Sequence, residues 1–289
     1  MFISIIKVRF FLIALLFLTI TQLLSYRFTH LPLGNISPLF SFGQSIHKQG
    51  QFSLREIVQF GKRSHGSRLV TYNNAYYGIT NRLTALVSMP IIIRDKIKSP
   101  LGNQKKRQGL ADSYLRAEYL LFRDKSDTHR YDITTITYIR VPTATVKQRT
   151  RLASKAYNFF FGASKSIITP DWYIYATAGF VITTTRKLFK YGNEFESDIG
   201  IGRTIFSQPD SYLIIFIELQ GIYLGSNTVN KKKDYQTGEF VLYCGPTFRF
   251  KKNSWLLQGG IQYPASRHQK FNNDETFNYR AALSASYSF

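Results

Sequence analysis

From Phe52 to the end of the chain one unit recurs: about ten residues in which apolar and polar positions loosely alternate, then a break. Strand side chains point to opposite faces at successive residues, so this period of two predicts β-strands. Twelve such units lie near 52–60, 68–78, 82–93, 110–122, 131–141, 157–166, 172–184, 194–206, 212–223, 240–250, 255–264 and 277–289. Helical candidates of comparable strength are missing, because the Phe, Tyr, Ile and Thr content suits strands and Gly or Pro recurs at the junctions. The last unit is the sharpest. Tyr279, Ala281, Leu283, Ala285, Tyr287 and Phe289 form one face, and Asn278, Arg280, Ala282, Ser284, Ser286 and Ser288 the other. In 172–184, Trp172, Ile174, Ala176, Ala178, Phe180 and Ile182 oppose Tyr173, Tyr175, Thr177, Gly179 and Thr183. One face suits hydrocarbon and the other water.

The breaks alternate in length. Those at 79–81, 123–130, 167–171, 207–211 and 251–254 are mostly tight turns, whereas 94–109, 142–156, 224–239 and 265–276 are long, with 61–67 and 185–193 intermediate. Short turns at one end and long loops at the other are how bacterial outer-membrane barrels are built. The expected fold is therefore all-β, a transmembrane antiparallel up-and-down β-barrel of twelve strands over residues 51–289, with both termini on the periplasmic side. Tyr131, Tyr157, Trp172, Tyr212, Trp255 and Tyr263 near strand ends fit interfacial girdles. The single cysteine, Cys244, shares its phase with Leu242 and Phe248 and reads as a lipid-facing apolar residue.

Ahead of the barrel, Lys7 and Arg9 precede an apolar run from Phe10 to Leu24. That run is shorter than the roughly 20 residues that span a bilayer, so residues 1–25 read as a signal peptide, with an uncleaved anchor as the alternative. Residues 26–50 show no sustained period and read as a periplasmic arm or a plug.

Composition sharpens this picture. The 289 residues carry 38 Lys+Arg against 17 Asp+Glu, a net charge of +21, yet charged residues make up only 19%, while aromatics reach 16%. A soluble domain carries about 25% charged residues. One cysteine excludes a disulfide framework and any cysteine-based zinc site. The positive charge concentrates in the long loops, roughly +15 there against roughly +1 in the tight turns. Lys105, Lys106, Arg107, Lys147, Arg149 and Arg151 are thus expected to face anionic lipopolysaccharide, and nucleic acid is not an expected partner once the chain is exported. No cofactor or metal is expected.

Certain residues carry a family likeness. Tyr77-Gly78-Ile79-Thr80-Asn81-Arg82-Leu83-Thr84, then Ser88-Met89-Pro90, then Gly109-Leu110-Ala111-Asp112 leading into Leu115-Arg116-Ala117-Glu118-Tyr119, and Arg140-Val141-Pro142-Thr143, together resemble a bacterial outer-membrane family named for the meta-cleavage pathway of phenol degradation. Ala111 stands where that family usually has Gly, and Glu118 where Lys is common. The resemblance implies a transport barrel in the Gram-negative outer membrane. The terminal Tyr287 and Phe289 also resemble the signal read by the barrel-assembly machinery.

The inward phase collects charge. Asp112, Arg116, Glu118, Asp132, Arg140, Glu194, Glu196, Asp198, Glu218, Arg249 and Arg280 are expected to line the lumen, because an Arg or Lys facing lipid at the midplane costs about 2–4 kcal/mol. Two readings stay open, a selective polar path and a salt-bridged network that fills the barrel. The expected function is porin-like passive passage of small, apolar or aromatic solutes through a narrow channel obstructed by residues 26–50. The alternative is a structural or adhesive surface barrel whose basic loops bind lipopolysaccharide or polyanions. A lipid-modifying enzyme is disfavoured: His30, His47, His65, His129 and His268 all lie in the arm, a loop or a turn, none beside a strand serine as a base–nucleophile pair requires.

Overall fold

The computed structural model describes residues 38–40, 42–98, 104–146, 150–269 and 277–289. Twelve long antiparallel strands follow one another: β1 (Phe52–Arg63), β2 (Gly66–Gly78), β3 (Leu83–Lys98), β4 (Ser113–Lys125), β5 (Arg130–Val141), β6 (Asn158–Ile168), β7 (Trp172–Thr183), β8 (Glu194–Gln208), β9 (Ser211–Leu224), β10 (Glu239–Lys252), β11 (Trp255–Gln269) and β12 (Tyr279–Ser288). Each pairs with its neighbours in sequence, and β12 returns to β1 in a register running from Ser53↔Ser288 to Lys62↔Tyr279. The sheet is therefore a closed up-and-down barrel, as the alternation predicts. The residues assigned to a signal peptide lie outside the described ones.

Closure is what the lipid setting demands, because an open edge would leave backbone groups unpaired in hydrocarbon. Several strands run past the ends that the alternation marks, mainly on the long-loop side. There β3 continues to Lys98 and the chain returns as a strand over Gln104–Leu110 before turning in at Ala111 and Asp112 to start β4. A small three-stranded sheet of Phe189–Lys190, Thr228–Val229 and Lys232–Lys233 ties two other long loops together.

The two faces separate cleanly. On β7 Ile174, Phe180 and Ile182 are exposed while Tyr173, Tyr175, Val181 and Thr183 are buried. Aromatic clusters bound the apolar band near the seam: Phe52, Phe289, Tyr287 and Trp255 at the short-turn end, Phe60, Tyr279 and Tyr263 at the other. Cys244 takes the outward phase, opposite Leu219 and Tyr263, with its surface covered by neighbours.

Glu56 breaks the rule. It lies exposed on the outward face of β1, midway along the strand between Phe52 and Phe60, with Asn73 and Ala285 opposite it. A carboxylate facing lipid costs less than Arg or Lys but is still unfavourable. Glu56→Leu is therefore expected to stabilise the barrel by about 1 kcal/mol, read as a higher urea midpoint for unfolding from lipid vesicles.

Candidate functional site

The interior is where the sequence spends its charge, and most of that charge is paired. Four β-bulges matter here, because one extra residue reverses which parity faces inward. In β3 the register slips past Ile93 and turns Asp95 inward, where it meets Arg63 (2.8 Å), Arg68 (3.3 Å) and Arg107 (3.6 Å). In β4 the slip at Leu121 turns Arg123 toward Asp132, with bonds of 2.7 and 3.0 Å, and Arg130 adds a third contact at 3.1 Å. In β11 the slip past Ala265 brings Arg267 to Glu239 at 3.1 Å. The fourth, at Ile205 in β8, leaves Ser207 buried. Simple alternation misses Asp95, Arg123 and Arg267. The doubled outward apolar pair Leu121-Phe122 is the trace of one such slip in the sequence.

The N-terminal segment enters the lumen. Leu39, Phe42, Ile46 and His47 are buried there, and Phe42 meets Phe160 edge-on at 4.5 Å between centroids. Its polar groups bond to the inner wall. Ser45 N donates to Glu118 Oε2 (2.8 Å), a carboxylate also paired with Arg116. His47 N donates to Thr84 Oγ1 (2.8 Å), Gln220 donates to the Phe40 carbonyl (2.9 Å), and Arg55 to the Pro38 carbonyl (3.3 Å). Two glycines make the approach possible: a Cβ on Gly78 would stand 1.9 Å from the Lys48 carbonyl oxygen, and Gly43 adopts φ +102° against Ser164.

His47 corrects one sequence expectation. The histidine sits against a strand serine after all, Nε2 at 2.5 Å from Ser53 Oγ, with Nδ1 at 2.7 Å from the Ser45 carbonyl. A carbonyl only accepts, so Nδ1 carries the proton and Nε2 accepts from Ser53. The pairing arises because the arm folds back along β1, which no sequence period encodes. Ser53 is 1% exposed, and the pair fastens the segment to the wall.

At the opposite end residues 142–146 and 150–156 fold into the barrel. Asp112 anchors them: Oδ2 accepts from Ser154 Oγ (2.9 Å) and Lys155 N (2.8 Å), and Oδ1 from Ala144 N (3.2 Å). Val146 and Ala153 then pack with Val70, Ile92 and Ala111. Two expected outward cations are thereby corrected. Arg151 points inward to Glu194 (2.7 Å), and Arg107 is drawn to Asp95, because the inner carboxylates offer them partners that the open solvent does not. Lys106 is exposed, the side chain of Lys105 lies outside the described residues, and so do Lys147 and Arg149.

Of the other inward candidates, Glu218 and Arg249 pair at 2.9 Å, both fully buried, and the Arg249 guanidinium lies 4.0 Å above the Phe216 ring with Tyr173 and Tyr175 nearby. This cluster, with Ile168, Tyr212 and Ile214, fills one side of the lumen. Tyr175 donates to Asp198 (3.4 Å), and Arg140 donates to the Arg151 carbonyl (2.9 Å). Arg280 donates to Gln262 and Gln220 and stacks on Tyr243 (4.1 Å) and Phe40 (4.9 Å). Glu196 makes no ion pair among the described residues. The lumen contains a cavity of about 860 Å³ at the short-turn end and one of about 220 Å³ toward the long-loop end. They share no lining residue, and the N-terminal segment borders both, with Ser45 to Lys48 on the larger and Phe40 on the smaller. No cluster of His, Cys, Asp and Glu among the described residues could hold a metal ion.

Comparison with solved structures places this architecture. The chain superposes on an outer-membrane channel of Pseudomonas putida F1 with a TM-score of 0.68 at 13% identity, covering 84% of this chain and 97% of that one. Weaker likenesses are to the β domain of the Bordetella autotransporter BrkA (TM-score 0.49, 11% identity, 84% and 100% covered) and to the KdgM porin (0.41, 9%, 83% and 99%). At these identities the likeness is one of fold, that of a transmembrane β-barrel. No family model and no curated protein matches the chain.

If Asp112 is the anchor of the inward loop, Asp112→Ala should free residues 142–156 while the barrel persists. Each of three donors then loses its acceptor, at about 1–3 kcal/mol per buried group. Trypsin should cut after Arg151 or Lys155 in the variant and not in the parent, with the heat-dependent gel shift of the barrel unchanged.

Proposed function

We propose that this protein is a channel of the Gram-negative outer membrane, exported by a signal peptide, that passes small solutes passively. The observation that carries the reading is the lumen itself: a cavity toward each end of the barrel is bordered by an N-terminal segment whose described residues join no strand ladder. Twelve strands support this, since about eight are filled by their own side chains and sixteen leave an open pore. A segment held to the wall by side-chain hydrogen bonds can be withdrawn, whereas a wall strand cannot. The walls combine aromatic faces with ionised groups, which favours solutes that join an apolar or aromatic body to polar substituents. Membership of the meta-pathway family rests on the motifs around Gly78, Asp112 and Arg140. A second reading, surface binding to lipopolysaccharide, is favoured by the exposed Lys106, Lys187 and Lys231 to Lys233.

Planar-bilayer recording tests the channel. Removing residues 38–47 should enlarge the single-channel conductance several-fold over the parent; absence of conductance in both proteins overturns the reading.

The His47 fastening adds a pH dependence. Burial holds the His47 imidazole below the ordinary histidine range; once the pH falls under that lowered range, a proton on Nε2 abolishes its capacity to accept from Ser53. Open events should become more frequent on acidification in the parent and lose that dependence in His47→Phe.

A further inference from the structure

The smaller cavity holds an acidic and a basic side chain that the protein itself leaves without a partner of opposite charge. Glu196 lies on β8 between Glu194, which Arg151 neutralises, and Asp198, which Tyr175 caps; Glu196 has neither hydrogen bond nor ion pair among the described residues. Arg280, on β12, bears a full positive charge yet meets only the neutral amide oxygens of Gln262 and Gln220 and the faces of Tyr243 and Phe40. Its Nε and Nη2 make those bonds, and Nη1 makes none. Both residues line the same chamber without touching one another.

A carboxyl group and a guanidinium held apart in one chamber, neither with a partner of opposite charge, are complementary to a molecule that carries both an ammonium and a carboxylate. The remaining wall narrows the class. Val70, Tyr72, Leu152, Ile222, Leu224 and Val241 give the chamber an apolar side. Its volume of about 220 Å³ exceeds the 150 Å³ or so that admits benzene, leaving room for one ring and a short polar end. A rigid guanidinium that is already stacked and bonded presents its free amino group in a fixed direction, which suits recognition of a carboxylate.

We propose that this chamber binds a small zwitterion with an aromatic body, the aromatic α-amino acid class, its ammonium on Glu196, its carboxylate on Arg280 and its ring against the apolar wall around Tyr72. The inference rests on the channel reading in that the chamber then lies on the solute's path, and it names the kind of solute.

The full chain in detergent, examined by equilibrium dialysis with L-phenylalanine, phenylacetate and phenethylamine, tests it. L-Phenylalanine should bind tightest. Glu196→Gln is nearly isosteric and breaks no existing bond, so the fold should persist; it should weaken L-phenylalanine and phenethylamine by about tenfold or more and leave phenylacetate within about twofold, since removing one member of a desolvated charge pair costs at least that much. Arg280→Lys should give the mirror image, weakening phenylacetate and L-phenylalanine while sparing phenethylamine. Equal binding of the three probes overturns the proposal, as does an unchanged affinity for L-phenylalanine in Glu196→Gln. A protein that conducts ions but binds none of the probes overturns this inference alone. One that binds L-phenylalanine selectively without conducting overturns the channel reading and leaves the site standing.

Discussion

The backbone hydrogen bond in hydrocarbon governs everything else here. Water cannot satisfy an N–H or C=O group inside the apolar band, so each strand needs a partner on both sides, and only closure of β12 on β1 gives the first and last strands theirs. Once the sheet closes, every side chain must face either lipid or lumen. A sequence with a period of two then sorts its own chemistry, with Leu283 and Phe180 outward and Arg280 and Tyr175 inward. The charge that a soluble protein spreads over its surface has only the lumen and the rims to occupy. Glu56 shows the constraint by violating it, a carboxylate at mid-height on the lipid face.

That confinement explains why the lumen is a network of pairs. Arginines and carboxylates crowded into a small volume arrange themselves as Arg63, Arg68 and Arg107 around Asp95, Arg249 on Glu218, Arg151 on Glu194 and Arg267 on Glu239. Breaking one partner of such a pair leaves a desolvated charge, so the network is rigid even where its net contribution to stability is small. The lumen is not filled uniformly. The side around Arg249 and Tyr173 is filled, and the side bordered by β1, β2, β8 to β10 and β12 holds the smaller cavity.

The fold was legible because its signal is repeated twelve times and each repeat is long. Parity along regular strands likewise gives the inward side of Glu194, Glu196, Asp198, Glu218, Arg249 and Arg280. It fails at bulges, where Asp95, Arg123 and Arg267 exchange faces, since a slip of one residue leaves only a doubled apolar pair as its trace. It fails again in the long loops. The stretch 142–156 carries four basic residues and reads as solvated, yet its small residues Ala144, Ala153, Ser154 and Ala156 fit the space under the barrel rim, and Asp112 holds them there. His47 and Ser53 meet through a reversal of the chain between them, and no period announces it.

The choice of cation inside the lumen carries the last part of the reasoning. Around the smaller cavity the basic groups are Arg68, Arg151 and Arg280, whereas Lys48, Lys125 and Lys251 stand with arginines at the wider vestibule. A lysine ammonium is a mobile point charge; a guanidinium stacks on a ring and divides its donors between fixed acceptors. Arg280 on Tyr243 and Phe40, bonded to Gln262 and Gln220, cannot swing to neutralise Glu196 without abandoning those contacts. The separation of the two charges is thus maintained by the aromatic and amide groups around Arg280, and the chamber keeps a fixed polarity. A barrel that merely needed filling would gain by letting the two collapse into a pair. Holding them apart makes the chamber complementary to a solute that brings its own opposite charges.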